Sequence, residues 1–378
     1  MSHELLKPIS NSLIDELEKT QLQGSILNKI TYHSESYGLP DISDASVFIM
    51  GVSESRNSSF ESQSQDLNKF RKEFYQLKYG DWKHKIADIG NLPNGETVED
   101  TYHAIYEICN EIITNNKTLI IIGGSNDLIF PVFKSFNSIK NKVNIVSIDN
   151  QFDLYQDSDI ISGRSYMNKI IIDETNKLND FTNIGYQRHL CSTDEMELME
   201  KLFFEYISLG EISENNNKAE PFIRDANIVG FDVKSLSFHA KASSDFSYPN
   251  GIDSRLACIL SKFAGSSVNT QFFGLFELLN NKISNKLYAE IIWYFIDGIR
   301  NRIKEVDFND SNIFYKYFVQ TSGNDLVFFK SKMTNKWWME IKSIDNKVSK
   351  YLPCLEEDYQ ISLSDNLPKR WIIASKRF

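Results

Sequence analysis

The sequence predicts an α/β protein: a predominantly parallel sheet with helices on both faces, followed by a β-rich appendage. Three observations carry this reading. Five nearly continuous apolar runs end in Gly or an acidic residue, which suits strands covered on both faces. Stretches with apolar residues at helical spacing lie between them, and strand–helix alternation of this kind builds a parallel sheet. After about residue 310 the pattern changes to alternating, aromatic-rich segments with a turn between them.

The apolar runs are residues 47–51, 118–122, 143–148, 227–231 and 272–276. Tyr102, Ile105, Ile108, Cys109, Ile112 and Ile113 form one helical stripe. Ser192 and Glu195 read as a capping box for a helix that continues through Met196, Met199, Phe203 and Ile207, with Gly210 as its stop. A further helix is expected over 253–264, ended by Gly265. The polar stretches 53–65 and 211–220 read as loops. In the tail, 317–320 and 326–329 flank a Ser322-Gly323-Asn324 turn, and 337–341 is a candidate third strand. Trp337, Trp338, Tyr315, Tyr317, Phe328, Phe329 and Trp371 are read first as a small core joining the appendage to the main body, and otherwise as a partner interface. The expected division is an N-terminal extension over 1–45, an α/β domain over 46–310 and the appendage over 311–378.

The chain has 378 residues, 41 Lys plus Arg against 51 Asp plus Glu, and a net charge of −10, a balance opposite to that of most nucleic-acid binders. No apolar run reaches the roughly 18–20 residues of a membrane span, and the N-terminus lacks a hydrophobic signal core. A cytoplasmic protein is therefore expected, with neither nucleic acid nor membrane as partner. Cys109, Cys191, Cys258 and Cys354 are far apart and suggest neither a disulfide framework nor a zinc site. Nucleophile-elbow, dinucleotide-binding and P-loop motifs are absent.

The residues after the strands carry the chemistry. Gly123-Gly124-Ser125-Asn126-Asp127 follows one run, Asp149-Asn150-Gln151-Phe152-Asp153 the next, Asp232-Val233-Lys234 another, and Glu277 the last. In a parallel sheet these segments meet beyond the carboxyl ends of the strands, where ligands bind. Converging carboxylates suit a hard metal or a cationic ligand, or simply cap turns. His239 and His189 are further candidates as proton carriers or single metal ligands.

The order and spacing resemble the ureohydrolases: arginase, agmatinase and formimidoylglutamase. That family carries GGDH, DAHxD and SxDxD motifs and then a glutamate after the last core strand. Asp88-Ile89-Gly90-Asn91, Ser162-Gly163-Arg164-Ser165-Tyr166, Asn183-Ile184-Gly185-Tyr186-Gln187, Pro249-Asn250-Gly251 and the tail around Trp337-Trp338-Met339-Glu340 resemble a bacterial formimidoylglutamase-like branch. The resemblance spans roughly residues 45–378. It implies a three-layer α/β/α arginase-like fold with an eight-stranded sheet, a binuclear manganese site, hydrolysis of linear amidines and a homo-oligomer.

The departures change what is expected of the site. Asn126 stands where the family has the GGDH histidine, Gln151 where it has the DAHxD histidine, and Lys234 where it has the second SxDxD aspartate. Asp149, Asp153 and Asp232 are retained, and Glu277 stands where the family grips the cationic end of its substrate. One family metal position thus becomes Asn126, Asp149, Asp153 and Asp232, a set suited to at most one hard cation, Mg²⁺, Ca²⁺ or Mn²⁺. At the other, the Lys234 ammonium has no lone pair and repels a cation. No two-manganese centre is expected. The reading is a pseudoenzyme whose cleft, formed by Asn126, Asp127, Gln151, Arg164, Lys234 and Glu277, binds a small cationic or amino-acid ligand or serves a protein partner. The alternatives are a surviving formimidoylglutamase-like or arginase-like hydrolase, or different hydrolysis with Glu277, His239 or Lys234 as the acting group.

Overall fold

The computed structural model describes residues 5–20, 22–58, 66–154, 161–173, 177–237, 248–279, 281–305, 307–342 and 349–377. Its larger sheet has nine strands: β1 (Thr31–Tyr32), β2 (Val47–Val52), β3 (Ile86–Leu92), β4 (Thr118–Ile122), β5 (Val143–Ile148), β6 (Leu178–Tyr186), β7 (Glu205–Ser208), β8 (Ile228–Asp232) and β9 (Phe272–Phe276). They lie in the order β1-β3-β2-β4-β9-β8-β5-β6-β7. Every neighbouring pair is parallel. The ninth strand, beyond the expected eight, is the two-residue β1 at one edge.

Alternation of side chains explains why the apolar runs are continuous. Ile49, Ile120, Ile122, Val146 and Ile148 face one core with the helices Leu67–Gln76, Ser254–Ser266 and Lys282–Ile299. Phe48, Met50, Leu119, Ile121 and Ile145 face the other, with Val98–Thr114, Ile129–Ile139 and Tyr166–Ile172. Successive strand residues point to opposite faces, so two covered faces demand apolar residues at every position. Each fully buried Ile or Phe stabilises the fold by about 1.5–3 kcal/mol. The result is the expected three-layer α/β/α architecture.

Three local expectations fail. The Ser192/Glu195 capping box is present, but its helix ends at Lys201. Phe203 then takes φ +54°, and Glu205–Ser208 forms β7 with Glu205 and Ile207 buried, so the four-residue spacing of Phe203 and Ile207 spans a turn and an edge strand. Gly210 sits inside the next helix, Leu209–Glu214, and residues 216–219 form a 3₁₀ turn, so 211–220 is mostly helical rather than a loop. The local signal was another capping box, Ser208 with Glu211. Gly265 is not a stop either. It lies within Ser254–Ser266, where a Cβ would fall 1.9 Å from the Phe295 carbonyl oxygen. It lets this helix and Lys282–Ile299 touch backbone to backbone. Of the 53–65 loop, residues 59–65 lie outside the described residues.

A second, antiparallel sheet follows: β10 (Phe314–Gln320), β11 (Asp325–Ser331), β12 (Trp337–Lys342) and β13 (Ser349–Cys354), paired in chain order. Its fourth strand and the two terminal helices, Glu356–Leu363 and Lys369–Arg377, extend the hairpin-plus-strand expectation. Phe328, Trp337 and Met339 form one small core, with Tyr317, Tyr359 and Trp371 packed on it, and Phe314, Phe329 and Trp338 form another. The aromatic tail is therefore mainly core, although Tyr315 is exposed. Arg224 fastens this sheet to the larger one: its guanidinium lies 4.6 Å from the centre of the Trp338 ring and donates to the Trp337 carbonyl at 2.8 Å. The four cysteines are free and buried. Among the described residues no helix is long and apolar enough to cross a membrane.

Candidate functional site

Strands β4, β9, β8 and β5 are consecutive in the sheet and point the same way. Their carboxyl ends therefore deliver Asn126, Glu277, Asp232 with Lys234, and Asp149 with Asp153 to one edge. Local backbone geometry aims each group. Gly123 and Gly124, at φ +91° and +78°, turn the chain out of β4. Glu277 and Asp153 adopt the left-handed region, at φ +60° and +55°, a conformation non-glycine residues hold only where their surroundings enforce it. For Glu277 one such hold is its own N–H, which donates to the Gly124 carbonyl at 2.9 Å. Asp232 caps a 3₁₀ turn by accepting the Lys234 N–H at 2.7 Å. That turn folds the lysine back over the aspartate.

The Lys234 ammonium lies 2.8 Å from Asp232 Oδ2, with both side chains buried. Asn126 Nδ2 donates to Asp153 Oδ2 at 2.7 Å and reaches Asp149 Oδ2 at 3.5 Å. Gln151 meets the cluster through its backbone: its N–H donates to Asp149 Oδ1 at 3.2 Å, and its carbonyl accepts from Asn183 at 2.6 Å. Glu277 accepts the Ser58 hydroxyl at 2.5 Å and the Asn126 N–H at 3.4 Å. Ser58 is a contact that sequence spacing did not reveal, because 219 residues separate the partners.

Burial and crowding set the protonation of these groups. Burial, then Asp153 and Asp232, push the Asp149 carboxyl well above the carboxylate range. Burial raises Asp153 to about 7 against the pull of Lys234, and raises Glu277 to about 7 in the same way. Burial by itself would lower the Lys234 ammonium; Asp232, Asp149, Asp153 and Glu277 reverse this and hold it charged, above its ordinary value.

The remaining candidates are placed differently. Asp127 is buried and turned toward the hydroxyls of Tyr102 and Ser125 and the amide of Asn57. Burial raises its carboxyl despite those donors. Arg164 and His189 are exposed. His239 lies outside the described residues. Among the described residues, no group of three or more His, Cys, Asp or Glu side chains is arranged to hold a metal ion.

Comparison with known proteins agrees with this architecture. Residues 47–265, more than half of the chain, match the model of the arginase family. The fold is similar to that of formiminoglutamase from Trypanosoma cruzi, solved with Mn²⁺, at TM-score 0.63 and 15% identity, covering 70% of this chain and 96% of that one. It is similar to formimidoylglutamase from Bacillus subtilis at TM-score 0.65 and 13% identity, covering 74% and 93%. Agmatine ureohydrolase of Thermoplasma volcanium gives TM-score 0.59 and 15% identity, covering 76% and 98%. No curated protein sequence matches significantly. The structural likeness at these identities concerns the fold, and the family match concerns the sequence itself; on the latter the chain belongs to the arginase family.

Proposed function

We propose that this chain is a formimidoylglutamase-like member of the family that has lost binuclear-manganese hydrolysis of linear amidines and acts by binding. The observation that carries the reading is Lys234. Its ammonium lies 2.8 Å from Asp232, the aspartate that the family's two metals would share. The surrounding carboxylates hold that ammonium charged. A charged ammonium donates no lone pair, and it repels a divalent ion at the place where the second metal would sit. The residues present therefore do not fit a two-manganese group, and no hydrolytic step through a bridging hydroxide is assigned to them.

The same observation weighs against Lys234 as a general base, since a base must be able to lose its proton near neutral pH. Asp149, Asp153, Asp232 and Glu277 outnumber the one lysine, and an arriving cation would draw off the protons that burial holds on them, so the cleft favours a small cationic or amino-acid ligand. A second reading keeps one hard cation on Asn126, Asp149, Asp153 and Asp232 with hydrolysis of an amidine, against which stands the absence, among the described residues, of a carboxylate group arranged to hold a metal. Both readings are separated by metal content of protein purified without chelator, read beside product release from arginine, agmatine and formiminoglutamate. The expected result is less than one manganese per chain and no release with added manganese, with saturable heats of binding for at least one of the three compounds. About two manganese ions per chain and manganese-stimulated release would falsify the proposal.

A further inference from the structure

Behind the carboxylates, on the sheet face that carries Ile145 and Phe181, lies a group of buried oxygens the proposed function does not use. Among the described residues, Asn126 Oδ1, Asp153 Oδ1 and Asn183 Oδ1 have no hydrogen-bond partner, and Ser147 Oγ and the Tyr166 hydroxyl have at most each other. All five residues are at most 2% exposed. Ser147 and Asn183 are register partners on β5 and β6. Ser147 stands two residues before Asp149, on the same side of the strand. Tyr166, from the helix packed on that face, turns its hydroxyl toward Ser147 and into the field of Asp153.

The amides are oriented by their own donors. Asn126 Nδ2 is engaged by Asp153 and Asn183 Nδ2 by the Gln151 carbonyl, so each leaves its oxygen free. Three of the five atoms, the two amide oxygens and the carboxylate oxygen, accept hydrogen bonds only. One water has two hydrogens and serves two acceptors. A cation serves every oxygen at once. Four of the five donors are neutral and one is a carboxylate, so the set matches a single positive charge. A divalent ion demands more carboxylate than this wall supplies.

We infer that Asn126, Ser147, Asp153, Tyr166 and Asn183 form a site for one monovalent alkali cation, Na⁺ or K⁺, behind the ligand cleft. The ion supplies positive charge to the Asp153 side of the cluster, as Lys234 does to the Asp232 side. The inference rests on the reading above only in that no manganese occupies Asp153.

Full-length protein is dialysed against chelator in choline chloride, and its Tm is followed while NaCl or KCl replaces choline at constant ionic strength. The expected result is a saturable rise of several degrees in at least one alkali salt. In Ser147→Ala and Tyr166→Phe, each of which removes one oxygen with little change of volume, the rise shifts to higher salt and shrinks. Equal Tm values in all three salts mean that the chamber holds water only, and overturn the site. So does a rise that persists undiminished in both variants, which marks a general salt effect. A saturating response to micromolar Ca²⁺ or Mn²⁺, with none to alkali salts, overturns the monovalent class. The parent protein alone decides between cation and water should a variant fail to fold. Amidine hydrolysis, in contrast, sinks the functional proposal and leaves this alkali-specific response standing.

Discussion

Two buried charge clusters lie along the larger sheet, and they are built on opposite principles. At β3, Arg71 grips Asp88 with two nitrogens, at 2.9 and 3.0 Å, and reaches Asn91 and the Gly90 carbonyl at 2.7 and 3.0 Å. The Tyr75 hydroxyl and the Gly90 N–H supply the remaining donors to Asp88, at 2.9 and 3.0 Å. One positive charge meets one negative charge, and the groups around them are paired. At β5 and β8 one ammonium faces four carboxyl groups, and acceptor oxygens of Asn126 and Asp153 are left without partners among the described residues. A balanced, fully hydrogen-bonded ion pair is a fixed part of the scaffold. A cluster with surplus carboxyl groups and unused acceptors fits the binding role proposed above.

The sharpest test of that contrast is to remove the cation from each side. Arg71→Met leaves Asp88 buried beside Tyr75 with no counter-charge, and breaking such a pair costs about 3–5 kcal/mol. Divalent cations recover none of it, because the Asp88 oxygens are already taken by Tyr75 and Gly90. Urea unfolding with and without Mg²⁺, Ca²⁺ or Mn²⁺ reads both quantities. A loss below about 1 kcal/mol, or a recovery with metal, makes the two clusters equivalent and removes the distinction.

Lys234→Ala is expected to cost less, about 2–3 kcal/mol, because the crowded carboxyl groups can take up protons in place of the ammonium. Here added Mn²⁺ restores part of the loss. Lys234→Asp, which returns a carboxylate, shows the larger metal-dependent shift of melting temperature. Parent, alanine and aspartate variants that all shift equally with metal would mean that Lys234 plays no part in excluding a second ion.

The contrast also describes how far the sequence could be read. Strands β2, β4, β5, β8 and β9 were legible because burial on both faces forces unbroken apolar runs. β3 was hidden by Asp88, Gly90 and Asn91, the residues that build the Arg71 cluster, and β6 by its half-buried polar start at Asn179 and Asp180. Edge strand β7 was mistaken for helix because four residues with two buried positions carry too little periodicity. At the site, Lys234 was legible as a break in a spaced acidic pattern. The Ser58 contact to Glu277 was not, since no local pattern encodes a contact between distant loops. The buried hydroxyls of Ser147 and Tyr166 were invisible for another reason: a strand serine and a helix tyrosine are unremarkable until packing leaves them only each other.

The smallest expected effect separates the clusters by pH. Asp153 and Glu277 have ordinary values of 3.8 and 4.5 when unfolded, and both rise to about 7 in the fold. Between these limits the unfolded chain is ionised while the folded chain keeps its protons. The favourable contribution is therefore fully present below about pH 4 and is lost as pH rises to about 7. Other carboxyls act with the opposite sign: Glu54 and Glu220 are lowered on balance, burial being outweighed by Arg56 and Arg224, so their contribution is lost on acidification. The parent alone therefore mixes both signs, and the informative quantity is a difference. Asp153→Asn removes one raised carboxyl and keeps its volume. Relative to the parent, the variant should gain about 1–2 kcal/mol between pH 5 and pH 6, one pKa unit corresponding to about 1.4 kcal/mol. Urea midpoints in chelator and choline buffer, without alkali salt, measure it. Alkali ions are left out because the same carboxylate belongs to the alkali site, and a bound ion would keep it ionised. A difference independent of pH would mean that Asp153 is ionised throughout, as it would be if a tightly held counter-ion sat beside it at every pH tested.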